Sequence, residues 1–206
     1  MYLDRRQLIL GAAALAGLTG LASTGHAAID ITALHKPPAE GEMALGPETA
    51  KVTVIEYASA SCPHCANFHV TTFKDLKKEY IDTGKIRFVF REFPLNDAAF
   101  AAFMVARCAP KDKYFPLLDM FFEQQDQWMQ APRDGLEKIA QLAGFTKESF
   151  EACLKNEAVA KGIMAVRDTA DKDFGVNSTP TFFVNGELLK GETSIEEFRK
   201  VIDPLL

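Results

Sequence analysis

The motif Cys62-Pro63-His64-Cys65 constrains the fold more than any other feature of the chain, because it lies between a strand pattern and a helix pattern. A β-branched run at residues 52–57 precedes it, and apolar residues recur at helical spacing through residues 65–80. A second strand pattern covers residues 86–93. Strand, helix and strand in this order predict parallel pairing through a right-handed crossover.

The rest of the chain alternates between helix and strand signals. Residues 98–158 show only helical patterns, and a further helix is predicted over residues 159–174. Two short strand patterns, residues 181–184 and 187–190, flank Asn185-Gly186, the strongest short hairpin signal. A last helix is predicted over residues 195–202. The chain is therefore expected to form one α/β domain interrupted by a helical block.

The N-terminal segment resembles an export signal. Arg5-Arg6 precedes an apolar run at residues 8–22, and small residues follow up to Ala28, so a cleavable signal over residues 1–27 is predicted. A retained membrane anchor is the alternative, although the run is short for a bilayer span. Arg5-Arg6-Gln7-Leu8 also resembles a twin-arginine signal, so both that export route and the general one fit. Residues 28–50 show no clear period and are predicted to form an N-terminal arm.

Composition excludes two classes of protein. Hydrophobic residues make up 48% of the chain and charged residues 25%, which is enough apolar content for a folded core. The formal net charge is −5, and no cluster of Lys and Arg counters it. Nucleic-acid binding usually needs a basic stripe, so nucleic acid is not an expected partner.

The spacing of Cys62 and Cys65 favours redox chemistry. At a helix start, amide groups and the helix dipole stabilise a thiolate, and a protonated His64 would add to this. A lowered pKa of Cys62 stabilises the reduced dithiol and makes the disulfide a stronger oxidant. Half of a zinc site, haem attachment and a structural disulfide are the alternatives. The chain has no second such cysteine pair, and Ala66 stands where haem attachment needs His.

The motif Cys62-Pro63-His64-Cys65, together with the later Thr179-Pro180-Thr181-Phe182, resembles the DsbA family of thioredoxin-fold oxidoreductases. The resemblance implies an α/β fold, a thioredoxin fold with an inserted all-helical domain. Residues 51–97 and 159–206 would form the thioredoxin-like domain, and residues 98–158 the helical insertion.

The resemblance also implies roles for particular residues. Pro180 is expected to be cis and to face the disulfide, with Thr179 exposing backbone to an extended substrate peptide; an ordinary trans proline is the alternative. Glu56 is expected to point inward beneath Cys65 and to relay its proton; a surface glutamate is the alternative. His69 is predicted to be a surface or packing residue.

Cys108 and Cys153 lie in helical patterns of the block and are expected to pair in a structural disulfide. Pairing is the default for an even cysteine count in an exported protein, and some family members carry such a bond. Two buried free thiols are the alternative.

The resemblance implies a periplasmic enzyme that transfers disulfides to reduced exported proteins. It also implies a DsbB-type membrane oxidase that restores the enzyme's Cys62–Cys65 disulfide. No cofactor besides the Cys62–Cys65 disulfide and no metal is expected, nor is the mature protein expected to be an integral membrane protein. A disulfide isomerase or reductase is one alternative, although the short arm lacks room for the dimerisation domain of known isomerases. A metal-handling or chaperone-like thiol protein is the other.

Overall fold

The computed structural model describes residues 29–206, so the predicted signal at residues 1–27 lies outside the described residues. Within this range no helix combines the length and the apolar character needed to cross a membrane.

The described chain folds around a five-stranded sheet in the order β1-β3-β2-β4-β5. The strands are β1 (Met43–Leu45), β2 (Val52–Ala58), β3 (Ile86–Glu92), β4 (Thr181–Val184) and β5 (Glu187–Lys190). Strands β2 and β3 pair in parallel, as the strand–helix–strand order predicts, and every other pair is antiparallel. The central position of β2 places the end of this strand, and the cysteine motif after it, in the middle of the sheet.

Strand β2 is buried on both of its faces. Ile55 and Tyr57 pack in one hydrophobic cluster with residues of helix α9 (Glu157–Phe174) and with Leu34 of the short helix α1 (Ile31–Leu34). Val54 and Ala58 point to the opposite face and belong to the larger core, which the remaining helices cover. Alternation along the strand therefore places Glu56 inside the larger core.

The helix predicted over residues 65–80 is divided in the structure. It consists of α2 (Pro63–Val70), α3 (Thr72–Leu76) and a π-helical turn (Lys77–Ile81). The break is at Thr71, whose backbone leaves the helical region (φ −118°, ψ −89°) and whose hydroxyl donates to the Asn67 carbonyl at 2.6 Å. Such a bond from a threonine to the preceding turn bends helices, which explains why the apolar periodicity alone predicted one segment.

The helical block lies between β3 and α9. Its helices are α4 (Asp97–Cys108), α5 (Tyr114–Glu123), α6 (Gln125–Trp128), α7 (Pro132–Leu142) and α8 (Lys147–Leu154), with a 3-10 turn at Lys111–Lys113. These bounds fall within a few residues of the predicted block at residues 98–158. Its side chains join the same hydrophobic core as the sheet, so the block packs against the face that carries Glu56.

The C-terminal hairpin and helix follow their sequence signals. Asn185 and Gly186 both adopt positive φ, 47° and 95°, as a two-residue hairpin turn requires. Helix α10 (Ile195–Ile202) begins with a reciprocal capping box between Ser194 and Glu197, and a 3-10 turn at Asp203–Leu205 follows it.

The predicted N-terminal arm, residues 28–50, contains two regular elements that the sequence analysis did not predict. They are α1 and β1, and β1 pairs with the edge of β3, Ala44 opposite Val89. A three-residue strand is too short to show an alternating sequence pattern. It forms because the edge of β3 offers it hydrogen bonds.

Candidate active site

The cysteine motif forms the first turn of α2. Cys62 is its N-cap residue and Pro63 its first helical residue, where a missing N–H has no cost. The Cys62 N–H donates to the Ser59 carbonyl at 3.0 Å, and the Cys62 carbonyl accepts from the Ala66 N–H at 3.0 Å. The Cys62 sulfur therefore lies at the helix end whose N–H groups have no partner within the helix.

Both active-site cysteines are free thiols in this structure. Cys62 is 5% exposed and Cys65 is fully buried, so an incoming thiol reaches Cys62 first. The hydrogen bond from the Cys65 thiol is the largest cause that lowers the pKa of Cys62 to about 5; the Thr179 side chain and the N–H groups of Cys65 and His64 add to it, and burial opposes it. At neutral pH, Cys62 is therefore a thiolate.

Cys65 has the opposite character. Burial, followed by the interaction with Cys62 and the nearby charge of Glu56, raises the pKa of the Cys65 thiol well above its usual range. Two cysteines three positions apart thus differ in protonation, because one faces the amides of the helix start and the other faces the core.

The loop before β4 borders Cys62. The Thr179–Pro180 peptide bond is cis. The Cys62 Sγ lies 3.3 Å from the Thr179 carbonyl oxygen, to which only the protonated thiol can donate. The Pro180 carbonyl accepts from the Gly191 N–H at 2.9 Å, which ties the loop to the hairpin. The structure therefore brings Thr179 and Pro180 to Cys62 from more than 100 positions away in the chain.

Glu56 and His69 form a buried pair beneath the cysteines. His69 Nε2 lies 2.9 Å from Glu56 Oε2, and the side chains are 2% and 0% exposed. His69 stacks on Phe122 with 4.1 Å between ring centroids. The sequence predicted a surface or packing residue, and the structure shows His69 buried and packed. Its position one turn after Cys65, within the apolar stripe of the helix, was the signal for burial.

His64 points away from the core. Its side chain is 72% exposed, and Nδ1 lies 3.2 Å from Glu192 Oε2. The Asn67 amide also donates to Glu192. Glu192 lies in the loop between β5 and α10, and the sequence analysis missed it because no local pattern links this loop to the motif.

Gln125 is a second residue that sequence analysis missed. It is buried on α6, and its Nε2 donates to the carbonyls of Ala60 at 2.8 Å and Cys62 at 3.1 Å. The helical block therefore holds the backbone of the active-site loop directly. The sequence signal that could have identified Gln125 is a polar amide between Phe122 and Trp128, within an apolar helical pattern.

Cys108 and Cys153 are joined by a disulfide, with 5.9 Å between Cα atoms. The bond connects α4 to α8 and so closes the helical block on itself. Within residues 29–206 no group of three or more His, Cys, Asp or Glu side chains is arranged to hold a metal ion.

Comparison with known proteins agrees with this geometry. The family model described as "Thioredoxin" matches residues 38–204. A Rickettsia bellii protein named as a candidate protein-disulfide oxidoreductase is 39% identical over 150 residues, which cover 71% of this chain and 58% of that protein. Disulfide bond formation protein D of Bacillus subtilis is 28% identical over 178 residues, covering 82% and 78% of the two chains. This chain spans about three fifths of the length of its Rickettsia relatives.

Among solved structures, α-DsbA1 of Wolbachia pipientis superimposes with a TM-score of 0.75 at 29% identity. The match covers 84% of this chain and 94% of that one. Because the aligned part includes the helical block as well as the sheet, the likeness extends beyond the motif to the whole described architecture.

Proposed function

The chain belongs to the DsbA family within the thioredoxin superfamily, and from this we propose that it is a thiol–disulfide oxidoreductase that introduces disulfide bonds into folding proteins through Cys62 and Cys65. The observation that carries the proposal is the lowered pKa of Cys62, about 5, at the N-cap of α2. A stable thiolate favours the reduced enzyme and so makes its disulfide a strong oxidant.

The reaction proceeds in two exchanges. A thiolate of the reduced substrate attacks the Cys62 sulfur, the bond to Cys65 breaks, and Cys65 leaves with the electron pair and takes up a proton. The substrate's second thiolate then attacks its own sulfur in the mixed disulfide, and Cys62 leaves as a thiolate. The substrate dithiol has lost two electrons, and the enzyme disulfide has gained them.

The residues around the thiols have distinct roles in this proposal. Thr179, beside the cis Pro180, presents its backbone so that an extended substrate segment pairs with it as an added strand. Pro63 fixes the start of the helix and contributes no N–H of its own, while His64 contributes its backbone amide to the Cys62 thiolate. Glu56 exchanges a proton with Cys65.

We place this activity in the bacterial periplasm, where disulfides persist. The predicted signal at residues 1–27 supports this location. Reduced exported proteins are the proposed substrates, and a quinone-linked membrane oxidase of the DsbB type is the proposed partner that restores the Cys62–Cys65 disulfide.

The deciding experiment is the redox equilibrium of the protein, residues 29–206, against glutathione. An oxidase is expected to have a potential closer to about −120 mV than to about −270 mV, the values typical of a strong oxidant and of thioredoxin. It should also oxidise a dithiol peptide stoichiometrically. A potential near the thioredoxin value would establish a reductase instead. Stoichiometric copper or zinc binding with little turnover would support a metal-handling protein.

A further inference from the structure

Cys65 presents a proton-transfer problem that the thiols alone do not solve. The residue is fully buried, yet it must gain a proton when the disulfide is reduced and lose it when the disulfide is restored. The charge of Glu56 is close enough to act on the Cys65 thiol. Glu56 is thus a carboxyl that acts on Cys65, but it also has no exposed surface.

The Glu56 carboxyl has one hydrogen-bond partner among the described residues. Its Oε2 is hydrogen-bonded to His69 Nε2 at 2.9 Å, and its Oε1 has no hydrogen-bond partner within residues 29–206. The strands on either side of Glu56 place Phe90 and Phe182 opposite it, so neither neighbour offers a second acid–base group. His69 is thus the acid–base group that is hydrogen-bonded to the Glu56 carboxyl.

The imidazole of His69 connects the buried acid to a cleft. Its ring lies between Phe122 and Phe73, with centroid distances of 4.1 and 4.7 Å. Its second nitrogen, Nδ1, is buried and has no hydrogen-bond partner in the described part of the chain. His69 lines a cleft of about 90 Å³ together with Phe73, Phe122 and four charged residues.

The charged groups that face His69 come from three elements. Glu56 reaches it from β2. Asp119 and Glu123 line the cleft from α5, and Lys74 and Lys77 line it from the segment after the break at residue 71. Burial raises the pKa of the Asp119 carboxyl, and the nearby His69 lowers it in part.

We propose that His69 carries protons between the cleft and Glu56, so that the buried Cys65 thiol can be protonated and deprotonated in each catalytic cycle. The inference rests on the proposed thiol–disulfide exchange but not on its direction. His69 acts through Glu56 and is therefore a positioning and proton-transfer residue rather than a catalytic one.

The transfer balances in both directions. When the disulfide breaks, the Cys65 sulfur takes the electron pair and then the proton of the Glu56 carboxyl. The Glu56 carboxylate takes the proton from His69 Nε2, and Nδ1 takes one from water in the cleft. When Cys65 attacks to restore the disulfide, each proton returns by the same path. The cycle therefore resets the imidazole tautomer.

The test separates the two cysteines kinetically. Reduced protein is mixed with increasing oxidised glutathione, and products are quenched in acid and identified by mass. The observed rate is plotted against the concentration of oxidised glutathione. The part of the curve that rises with concentration measures attack by Cys62, and the plateau rate measures attack by Cys65 on the mixed disulfide. Rates are compared for the unmodified protein, His69→Gln and His69→Ala, with His35→Gln as a control, since His35 lies in the arm beside Arg91 and Glu42.

The plateau of His69→Gln is expected to fall about 10²-fold at neutral pH, the usual size of a lost acid–base group. It should then rise about tenfold per pH unit, because only hydroxide deprotonates Cys65. The concentration-dependent rate of attack by Cys62 should be unchanged in His69→Gln. The His35→Gln control should match the unmodified protein in both rates. In His69→Ala, added imidazole should restore the plateau saturably by entering the cleft.

An unchanged plateau and pH profile in His69→Gln would overturn the proposal. So would a lower plateau with the original pH profile and no rescue of His69→Ala by imidazole, since that pattern means packing alone. A reducing potential against glutathione would overturn the oxidase function while leaving this test valid, because Cys65 changes protonation in either direction.

Discussion

Gln125 donates its side-chain amide to the carbonyl of Cys62, with 3.1 Å between Nε2 and the oxygen. The same nitrogen donates to the Ala60 carbonyl at 2.8 Å. A residue of the helical block thus donates to two buried acceptors in the loop that carries Cys62. The helical block therefore belongs to the active-site scaffold, because it fixes the backbone that the thiolate depends on.

Replacing Gln125 should destabilise the protein. Gln125→Ala leaves the Ala60 carbonyl without this donor, while the Cys62 carbonyl keeps the Ala66 N–H; an unsatisfied buried group costs about 1–3 kcal/mol. Urea unfolding in a fixed redox state measures the loss. Gln130→Ala in the same block removes an exposed hydrogen bond from the side-chain amide and should lower the unfolding free energy by less than about 0.5 kcal/mol. Equal losses in the two variants would show that the buried contacts to the loop do not matter.

The reduced protein should lose stability, relative to the oxidised one, as the pH falls towards 5. Folding lowers the pKa of Cys62 from 9.0 to about 5, so its stabilisation is complete above the unfolded pKa and disappears as pH falls through the folded one. Between pH 7 and pH 5 the difference in unfolding free energy should shrink by about 2 kcal/mol. Urea titrations of both redox forms measure it.

The Cys62→Ser protein is the control for this pH dependence. It should show no such slope, because a serine hydroxyl does not ionise in this range. A slope that persists in Cys62→Ser would assign the effect to another group.

Two replacements of Cys65 should separate the effect of its hydrogen bond on the pKa of Cys62 from the effect of its side-chain volume. The Cys65 thiol is the largest cause of the lowered pKa of Cys62, so Cys65→Ala should raise that pKa. Cys65→Ser keeps a hydroxyl donor and should raise it less. Thiolate absorbance against pH provides the measurement. Values in both variants equal to that of the unmodified protein would mean that the Cys65 thiol does not stabilise the Cys62 thiolate.

Removing the Cys108–Cys153 disulfide should lower stability without changing the redox site. The bond closes a loop of 45 residues, which stabilises by about 3–4 kcal/mol in the chain-entropy model. The double variant Cys108→Ser, Cys153→Ser should show this loss in urea unfolding. Its Cys62 alkylation midpoint should match that of the unmodified protein. A shifted midpoint would mean that the disulfide also adjusts the active site.

Local patterns predicted most of the fold because they act over short stretches of chain. Alternating and β-branched runs gave β2, β3 and β4, the Asn185-Gly186 pair gave the hairpin, and a capping box gave α10. The break at Thr71 was missed, because apolar spacing continues through it while one side-chain hydrogen bond bends the backbone.

The sequence by itself determined that Cys62 and Cys65 lie at the start of a helix, because a cysteine pair at a strand-to-helix junction needs only local geometry. Tertiary structure alone decided which distant groups surround them: Gln125 against the loop, Glu192 against His64, and His69 against Glu56. These contacts join residues that are separated in the sequence and lie on different helices, strands or loops. Their partners are chosen by how strands and helices pack, and no pattern within one segment records that choice.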